Sequence, residues 1–193
     1  MELTQERILD EAARLFAERG YAGTGVQDLC ERSEVTKPTL YYHFGSKDGL
    51  LSALFEQRFG GFNARVRSAS EYDGPRRGDL AGVLTATISV FVETARVDPD
   101  FSRLRLASSF SPPSSVSYRV ARPYLESLYA ILRKTFVTAA LDHGNMAGRD
   151  LQYAASFIGA ADTYVGLYLA GDLDPDDAFL RRAVHYFMHG IFS

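Results

Sequence analysis

A start, a stop and a restart for helix fall within eleven positions, 36–46. Thr36 is a residue type that caps helix N-termini, because its hydroxyl accepts from a free backbone N–H. Pro38 suits a first turn, where its missing N–H costs nothing. Gly45 is a stop, since glycine takes the left-handed conformation that closes helices, and Ser46 caps the next helix. Only a helix of about two turns fits between them. Leu40 and Phe44 stand four apart and anchor its inner face. Lys37, Thr39, Tyr41, Tyr42 and His43 then point outwards.

The same punctuation runs along the chain. Ile8, Ala12, Leu15 and Phe16 recur at helical spacing, and Gly20 follows as a stop. Thr24-Gly25-Val26-Gln27 reads as a capping box, with Thr24 as the cap and Gln27 reaching back. Val26, Leu29 and Cys30 line a short second helix, joined through Ser33-Glu34-Val35 to the segment above. The helix after Ser46 carries Leu50, Leu51, Leu54, Phe55, Phe59 and Phe62, and Gly60-Gly61 is expected to weaken and kink it. Ser70 to Gly78 reads as a loop. A helix follows from Leu80 to Val92, and Asp98-Pro99 opens another. Ser111 to Ser115 is a break. The pattern from Val116 to Leu141 is expected to kink or split at Pro123. His143 to Gly148 is a loop, and Leu151 to Leu169 is an apolar helix closed by Gly171. Asp174-Pro175 is expected to start a last helix running through Phe192. No segment shows sustained strand alternation. The expected fold is all-α with about nine helices: a three-helix domain over 1–50 and a larger helical domain over 51–193.

With 193 residues, 46% of them hydrophobic, the chain has material for one sizeable core or two small ones. No apolar run approaches the roughly 20 residues of a spanning helix. The mixed charges of Met1 to Arg7 do not resemble a signal peptide. One cysteine, Cys30, excludes an intrachain disulfide framework. A cytoplasmic location without membrane contact is expected. Net charge is -3, and residues 1–50 hold six basic against nine acidic side chains, again -3. Bulk charge therefore argues against nucleic acid, and a case for it must rest on where particular groups sit.

Two short helices joined by a tight turn, the second with a polar outer face, form the helix-turn-helix pattern. Hydroxyls, an ammonium and an imidazole on that face can donate to phosphates, and some can reach base edges. The helix N-terminus adds free N–H groups suited to phosphate. Lys47 at the next helix start and Thr24 at the previous one are two further candidates. The residues alone leave a second reading open, an ordinary small bundle with an aromatic surface.

Ile8-Leu9-Asp10-Glu11-Ala12-Ala13-Arg14-Leu15-Phe16-Ala17-Glu18-Arg19-Gly20-Tyr21, Thr24-Gly25-Val26-Gln27-Asp28-Leu29-Cys30 and Val35 to Leu51 together resemble the N-terminal domain of the TetR family of regulators. The resemblance covers residues 4–55. It implies that Thr24, Tyr42, His43 and Lys47 hold the DNA backbone. Thr36, Lys37, Thr39 and Tyr41 would face the major groove, with Pro38 in the same segment. Two departures stand out. The family usually has a small residue and then glycine where Ser33-Glu34 stands, and glycine tolerates a left-handed turn better than Glu34 does. Cys30 takes a position that is usually alanine, which favours packing over redox sensing.

The resemblance also implies a homodimer, and a small-molecule inducer in the larger domain. Ala155, Gly159, Thr163 and Gly166 form a small-residue edge that lets another helix approach. Leu180, Ala183, Val184, Phe187, Met188 and Ile191 line the last helix. The two helices are expected to pair with their copies in a four-helix interface, although small residues would serve a monomeric core as well. Candidate ligand contacts are Phe91, Phe101, Leu104, Arg105, Phe110, Tyr124, Leu128, Phe157, Asp162 and Tyr164. Arg103, Arg105 and Asp162 each lie within an apolar stretch and could orient a polar group of a ligand, the alternative for each being a place at the surface. The many aromatics favour a largely apolar or aromatic inducer. His185 and His189 stand four apart, yet no third ligand lies nearby in sequence, so no metal and no cofactor is expected. No nucleophile–base pair or phosphate loop supports an enzyme. A module that binds a protein partner is the remaining alternative. The function expected is a ligand-responsive regulator, a repressor that releases its double-stranded operator on binding inducer.

Overall fold

The structure is a computed structural model that describes residues 2–73 and 79–190, with backbone only for Glu2 and Asn145. Among these residues there are nine α-helices and no strand. They are α1 (Glu2–Gly23), α2 (Val26–Arg32), α3 (Lys37–Phe44), α4 (Lys47–Ala69), α5 (Leu80–Val97), α6 (Pro99–Ser109), α7 (Val116–Ala139), α8 (Asp150–Ala170) and α9 (Asp177–His189). A single 3-10 turn, Gly144–Met146, interrupts the loop before α8. Part of the expected 70–78 loop, Ile191 and the expected run of the last helix to Phe192 lie outside the described residues.

Most boundaries follow local chemistry. Gly20 breaks α1 at φ 72°. Thr36 accepts from Thr39 N–H at 3.3 Å and caps α3. Gly45 closes α3 at φ 70°. Ser46 accepts from Gly49 N–H at 2.9 Å and opens α4. Asp98 accepts from Phe101 N–H at 3.0 Å and opens α6. Gly171 closes α8 in the left-handed conformation.

One expectation fails and two are narrowed. The cap of α9 is Asp176, which accepts from Phe179 N–H at 2.6 Å. Asp174 is engaged elsewhere, by Arg96 of α5 at 2.8 Å, and the Pro175 carbonyl accepts from the same guanidinium. α7 is not split at Pro123. Nor does Gly60-Gly61 break α4, which is continuous over 23 residues. A Cβ added at either glycine meets nothing within 4 Å. Gly60→Ala and Gly61→Ala should therefore each stabilise the chain by about 0.5–1 kcal/mol, since alanine loses less backbone entropy in a helix. Thermal denaturation checks this, and a lowered Tm would show that α4 needs its glycines.

The helices divide into two compact units, residues 1–61 with 98–125, and residues 62–97 with 126–193. This division by packing differs from the functional division expected at residues 50 and 51. In the first unit α1 packs along α6, and Ile8, Ala12, Leu15, Phe16, Leu29, Leu40, Phe55 and Phe59 are buried. Phe59 stacks on Tyr124 at 5.4 Å and meets Phe101 edge-on at 5.8 Å. Arg58 bonds Asp98 at 2.7 Å and also reaches Asp10. In the second unit α5 packs against α8 and α9. α5 is the one described helix long and apolar enough to cross a membrane, but half of it is buried inside the chain, as suits a core helix.

Candidate nucleic-acid interface

The first unit presents α3 outwards. Leu40 and Phe44 are buried, while Lys37, Pro38, Tyr41 and Tyr42 are exposed, Tyr42 to 74%. His43 is half-buried and meets the Tyr42 ring edge-on at 5.3 Å. Thr39 is half-buried, and its hydroxyl lies 2.9 Å from that of Thr36. The inner and outer faces are those that the spacing predicts.

The charges around α3 are almost all spent. Arg14 and Arg32 both reach Glu11, at 2.9 and 3.4 Å. Arg7 faces Glu34 at 3.6 Å, and Arg19 faces Asp28 at 3.7 Å. Lys47 is held by two backbone carbonyls. Among the described residues Lys37 is thus the basic side chain of the first fifty with neither ion pair nor hydrogen bond. It stands at the first position of α3, beside the free N–H groups and positive dipole end.

Two expected phosphate contacts are corrected. Thr24 is 1% exposed, and its hydroxyl donates to Gly20 O at 2.9 Å and Leu15 O at 3.3 Å. It secures the end of α1 from inside and has no surface to offer. Nor does it cap α2. Gly25 is the cap residue, and the Asp28 carboxylate accepts from Gly25 N–H at 3.0 Å, a role expected of Gln27. An acid therefore already sits at the α2 N-terminus, which disfavours phosphate there.

Lys47 is the second correction. Its ammonium donates to Tyr21 O at 2.9 Å and Thr24 O at 2.8 Å, and lies 4.2 Å from the centre of the Tyr21 ring. Burial pushes its pKa below the ordinary lysine value, against the opposing pull of Asp48. The Tyr21 hydroxyl donates to Asp48, and burial followed by that bond raises the phenol well above its ordinary range. Tyr21, Lys47 and Asp48 thus fasten the start of α4 to the α1–α2 turn. The sequence reading missed Tyr21 as a functional residue, and no local signal marks it.

The turn between α2 and α3 carries the expected strain. Glu34 sits at φ 50°, the one described non-glycine residue with positive φ. Left-handed backbone costs such a residue about 1–2 kcal/mol, and glycine's extra chain entropy returns about 0.5–1 kcal/mol of that. The Arg7 ion pair is exposed and adds little. Glu34→Gly should therefore raise stability by about 0.5–1 kcal/mol, seen as a higher urea midpoint. An unchanged or lower midpoint would mean that the Glu34 side chain stabilises the turn. Cys30 is buried, and burial raises its thiol pKa, as a packing residue requires.

The candidate ligand contacts divide between the units. Phe101, Leu104, Arg105, Phe110 and Tyr124 belong to the first, and Phe91, Leu128, Phe157, Asp162 and Tyr164 to the second. Phe110 is corrected, because it is 81% exposed at the end of α6. Arg105 and Asp162 are buried, whereas Arg103 lies near the surface with Asp100 at 3.6 Å. Phe91, Phe101, Leu104, Leu128 and Phe157 are core residues. Tyr164 is half-buried with its ring edge-on to Phe179 at 5.1 Å.

The dimer candidates divide as well. Leu180, Ala183 and Val184 are buried within their own chain and present no surface, which corrects their assignment. Phe187 is half-buried with its ring 5.4 Å from that of Phe157. Met188 is exposed. On α8, Gly159 and Thr163 are exposed, and Ala155 and Gly166 are half-buried. A Cβ at Gly159 or Gly166 would meet nothing within 4 Å, so packing inside the chain does not demand glycine there. The His185 and His189 rings lie 4.7 Å apart. Among the described residues no group of three or more His, Cys, Asp or Glu side chains could hold a metal.

Two short helices in a tight turn, the second capped, exposed and bearing an uncommitted cation, define a helix-turn-helix domain on an all-helical chain. Residues 8–54 match the family model described as "Bacterial regulatory proteins, tetR family". The match covers α2, α3 and most of α1, so this part of the chain is similar to the DNA-binding domain of that family. It is 32% identical over 113 residues to the HTH-type transcriptional regulator YerO of Bacillus subtilis strain 168, covering 56% of this chain and 37% of YerO. It is 41% identical over 53 residues to IcaR of Staphylococcus aureus strain Newman, a negative transcriptional regulator of the biofilm operon icaADBC. That match covers 28% of this chain and 26% of IcaR, so the chain spans about a third of the length of these curated relatives or less. The fold extends further. The regulator FadR from Bacillus subtilis, solved in complex with stearoyl-CoA, aligns over 96% of this chain and 98% of its own at 20% identity and a TM-score of 0.75. The family and these relatives are transcriptional regulators, not enzymes.

Proposed function

We propose that the chain is a cytoplasmic, dimeric repressor that releases its operator on binding a small, largely apolar or aromatic inducer. The observation that carries the DNA half is the outer face of α3: an uncommitted Lys37 at its start, with Tyr41 and Tyr42 exposed on the next turn. Thr36, Lys37, Pro38, Thr39 and Tyr41 face the major groove, and Tyr42 and His43 hold the backbone. Residues 1–50 read DNA and residues 51–193 regulate the reading. The small-residue stripe of α8, with Gly159 and Thr163 exposed and Ala155 and Gly166 half-buried, meets its copy across a two-fold axis together with Met188 of α9. Two α3 helices would then enter successive major grooves, about 34–36 Å apart. The negative role follows IcaR. The ligand role follows FadR, whose stearoyl-CoA is itself an apolar chain with a polar head.

Fluorescence anisotropy with the DNA flanking its own gene tests the reading. Sequence-dependent, salt-sensitive binding at two chains per site is the expected result. Equal affinity for scrambled DNA, or a monomer by light scattering at micromolar concentration, would reject it.

A further inference from the structure

The second unit holds a cavity of about 290 Å3 that none of the expected ligand contacts lines. Its walls include Leu84 of α5, Phe136 of α7, Tyr153 of α8 and Phe187 of α9. The Phe136 ring lies 5.6 Å from Tyr153 and 6.1 Å from Phe187, so the aromatic walls support one another. Two imidazoles, His143 and His189, complete the lining, and both side chains are exposed. They therefore stand at the mouth. Among the described residues no Asp or Glu lines it. The groove outside, which shares Met188 and His189, does carry acids, Asp79 and Asp177.

The size is about ten times a water's share of liquid volume and near the lower bound of small-molecule sites. A single substituted ring suits it. An apolar body gains by leaving water for walls of this kind. At the mouth each imidazole has an N–H to donate, and a carboxylate accepts from both without meeting a like charge.

We propose that this cavity binds a monocyclic aryl carboxylic acid, the ring against Leu84, Phe136 and Phe187 and the carboxylate between His143 and His189. The proposal concerns binding alone. It needs no DNA and no dimer, so its failure leaves the operator reading untouched, and the reverse also holds.

The test titrates the full chain against 4-fluorobenzoate and its neutral counterpart 4-fluorobenzamide, followed by fluorine NMR line broadening. The expected result is saturable binding of 4-fluorobenzoate, displaced by benzoate and about tenfold tighter than that of the amide. Met146→Trp adds an indole to the lining from the loop before α8. It should weaken both probes about tenfold or more, with the fold checked by circular dichroism. The double variant His143→Ala with His189→Ala alters only exposed side chains. It should bring the acid down to the level of the amide while leaving the amide unchanged. No saturation up to roughly 10 mM would overturn the proposal. So would acid binding that survives the histidine substitutions, or an amide that binds as tightly as the acid.

Discussion

Gly49→Ala should lower the stability of the chain by about 3 kcal/mol, the upper part of the overpacking range, and cut DNA affinity at least about tenfold. A Cβ at Gly49 would lie 2.0 Å from the Phe44 carbonyl oxygen. That oxygen cannot swing aside, because it accepts from Ser46 N–H at 2.7 Å in the turn joining α3 to α4. Phe44 is one of the two anchors of α3. Relief of the clash must therefore move α3, which carries the exposed face argued to read DNA. For a chain of this length the expected fall in Tm is roughly 6–12 °C. The same substitution at Gly60, also within α4, should raise Tm, since nothing lies within 4 Å of a Cβ there. Paired melting curves separate the close approach from a general effect of alanine in the helix. A Gly49→Ala chain as stable as the parent would show that the α3–α4 turn has slack.

The contrast marks what was legible in the sequence. Thr36, Ser46, Asp98, Gly45 and Gly171 act on partners within a few positions, so residue type and spacing reveal them. Leu40 and Phe44 were legible for the same reason, since a two-turn helix has few ways to face inward. Thr24 looked like a cap because its type and place fit one, but its hydroxyl partner nearest the core, Leu15 O, lies nine positions back. Asp174 looked like a cap because proline follows it, yet Arg96 claims it from 78 positions away. Gly49 lies within the segment that carries the resemblance, but residue type and spacing give it no role, because glycine in a first helical turn is unremarkable until the neighbouring carbonyl is placed. On α9 the apolar residues were visible, but not which surface they serve. Leu180, Ala183 and Val184 face their own core, and a partner helix and a core helix favour the same residue types. The cavity was illegible because its walls come from four helices and a loop spread over more than a hundred positions.

Lys47→Met should cost about 2 kcal/mol and weaken DNA binding without changing its salt dependence. The ammonium donates to Tyr21 O and Thr24 O, and Met keeps the stem while removing both donors. Thr24 O and Tyr21 O then lose a charged partner in a part-buried site, a loss worth roughly 1–3 kcal/mol. The Tyr21 ring also loses the cation 4.2 Å from its centre. The α1–α2 turn loosens from the start of α4, and α3 is less well held for DNA. A lysine that bound phosphate would behave differently. Its removal would reduce the slope of log affinity against log salt by about one and leave Tm alone. Lys37→Ala supplies the comparison. Because Lys37 has no partner to lose within the described residues, it should leave Tm unchanged and lower affinity by about 1–3 kcal/mol, at one base position if it reads a base. Lys47 thus departs from the role that the resemblance implies for it. A reduced salt slope with an unchanged Tm for Lys47→Met would restore Lys47 to the DNA backbone and reject the clamp.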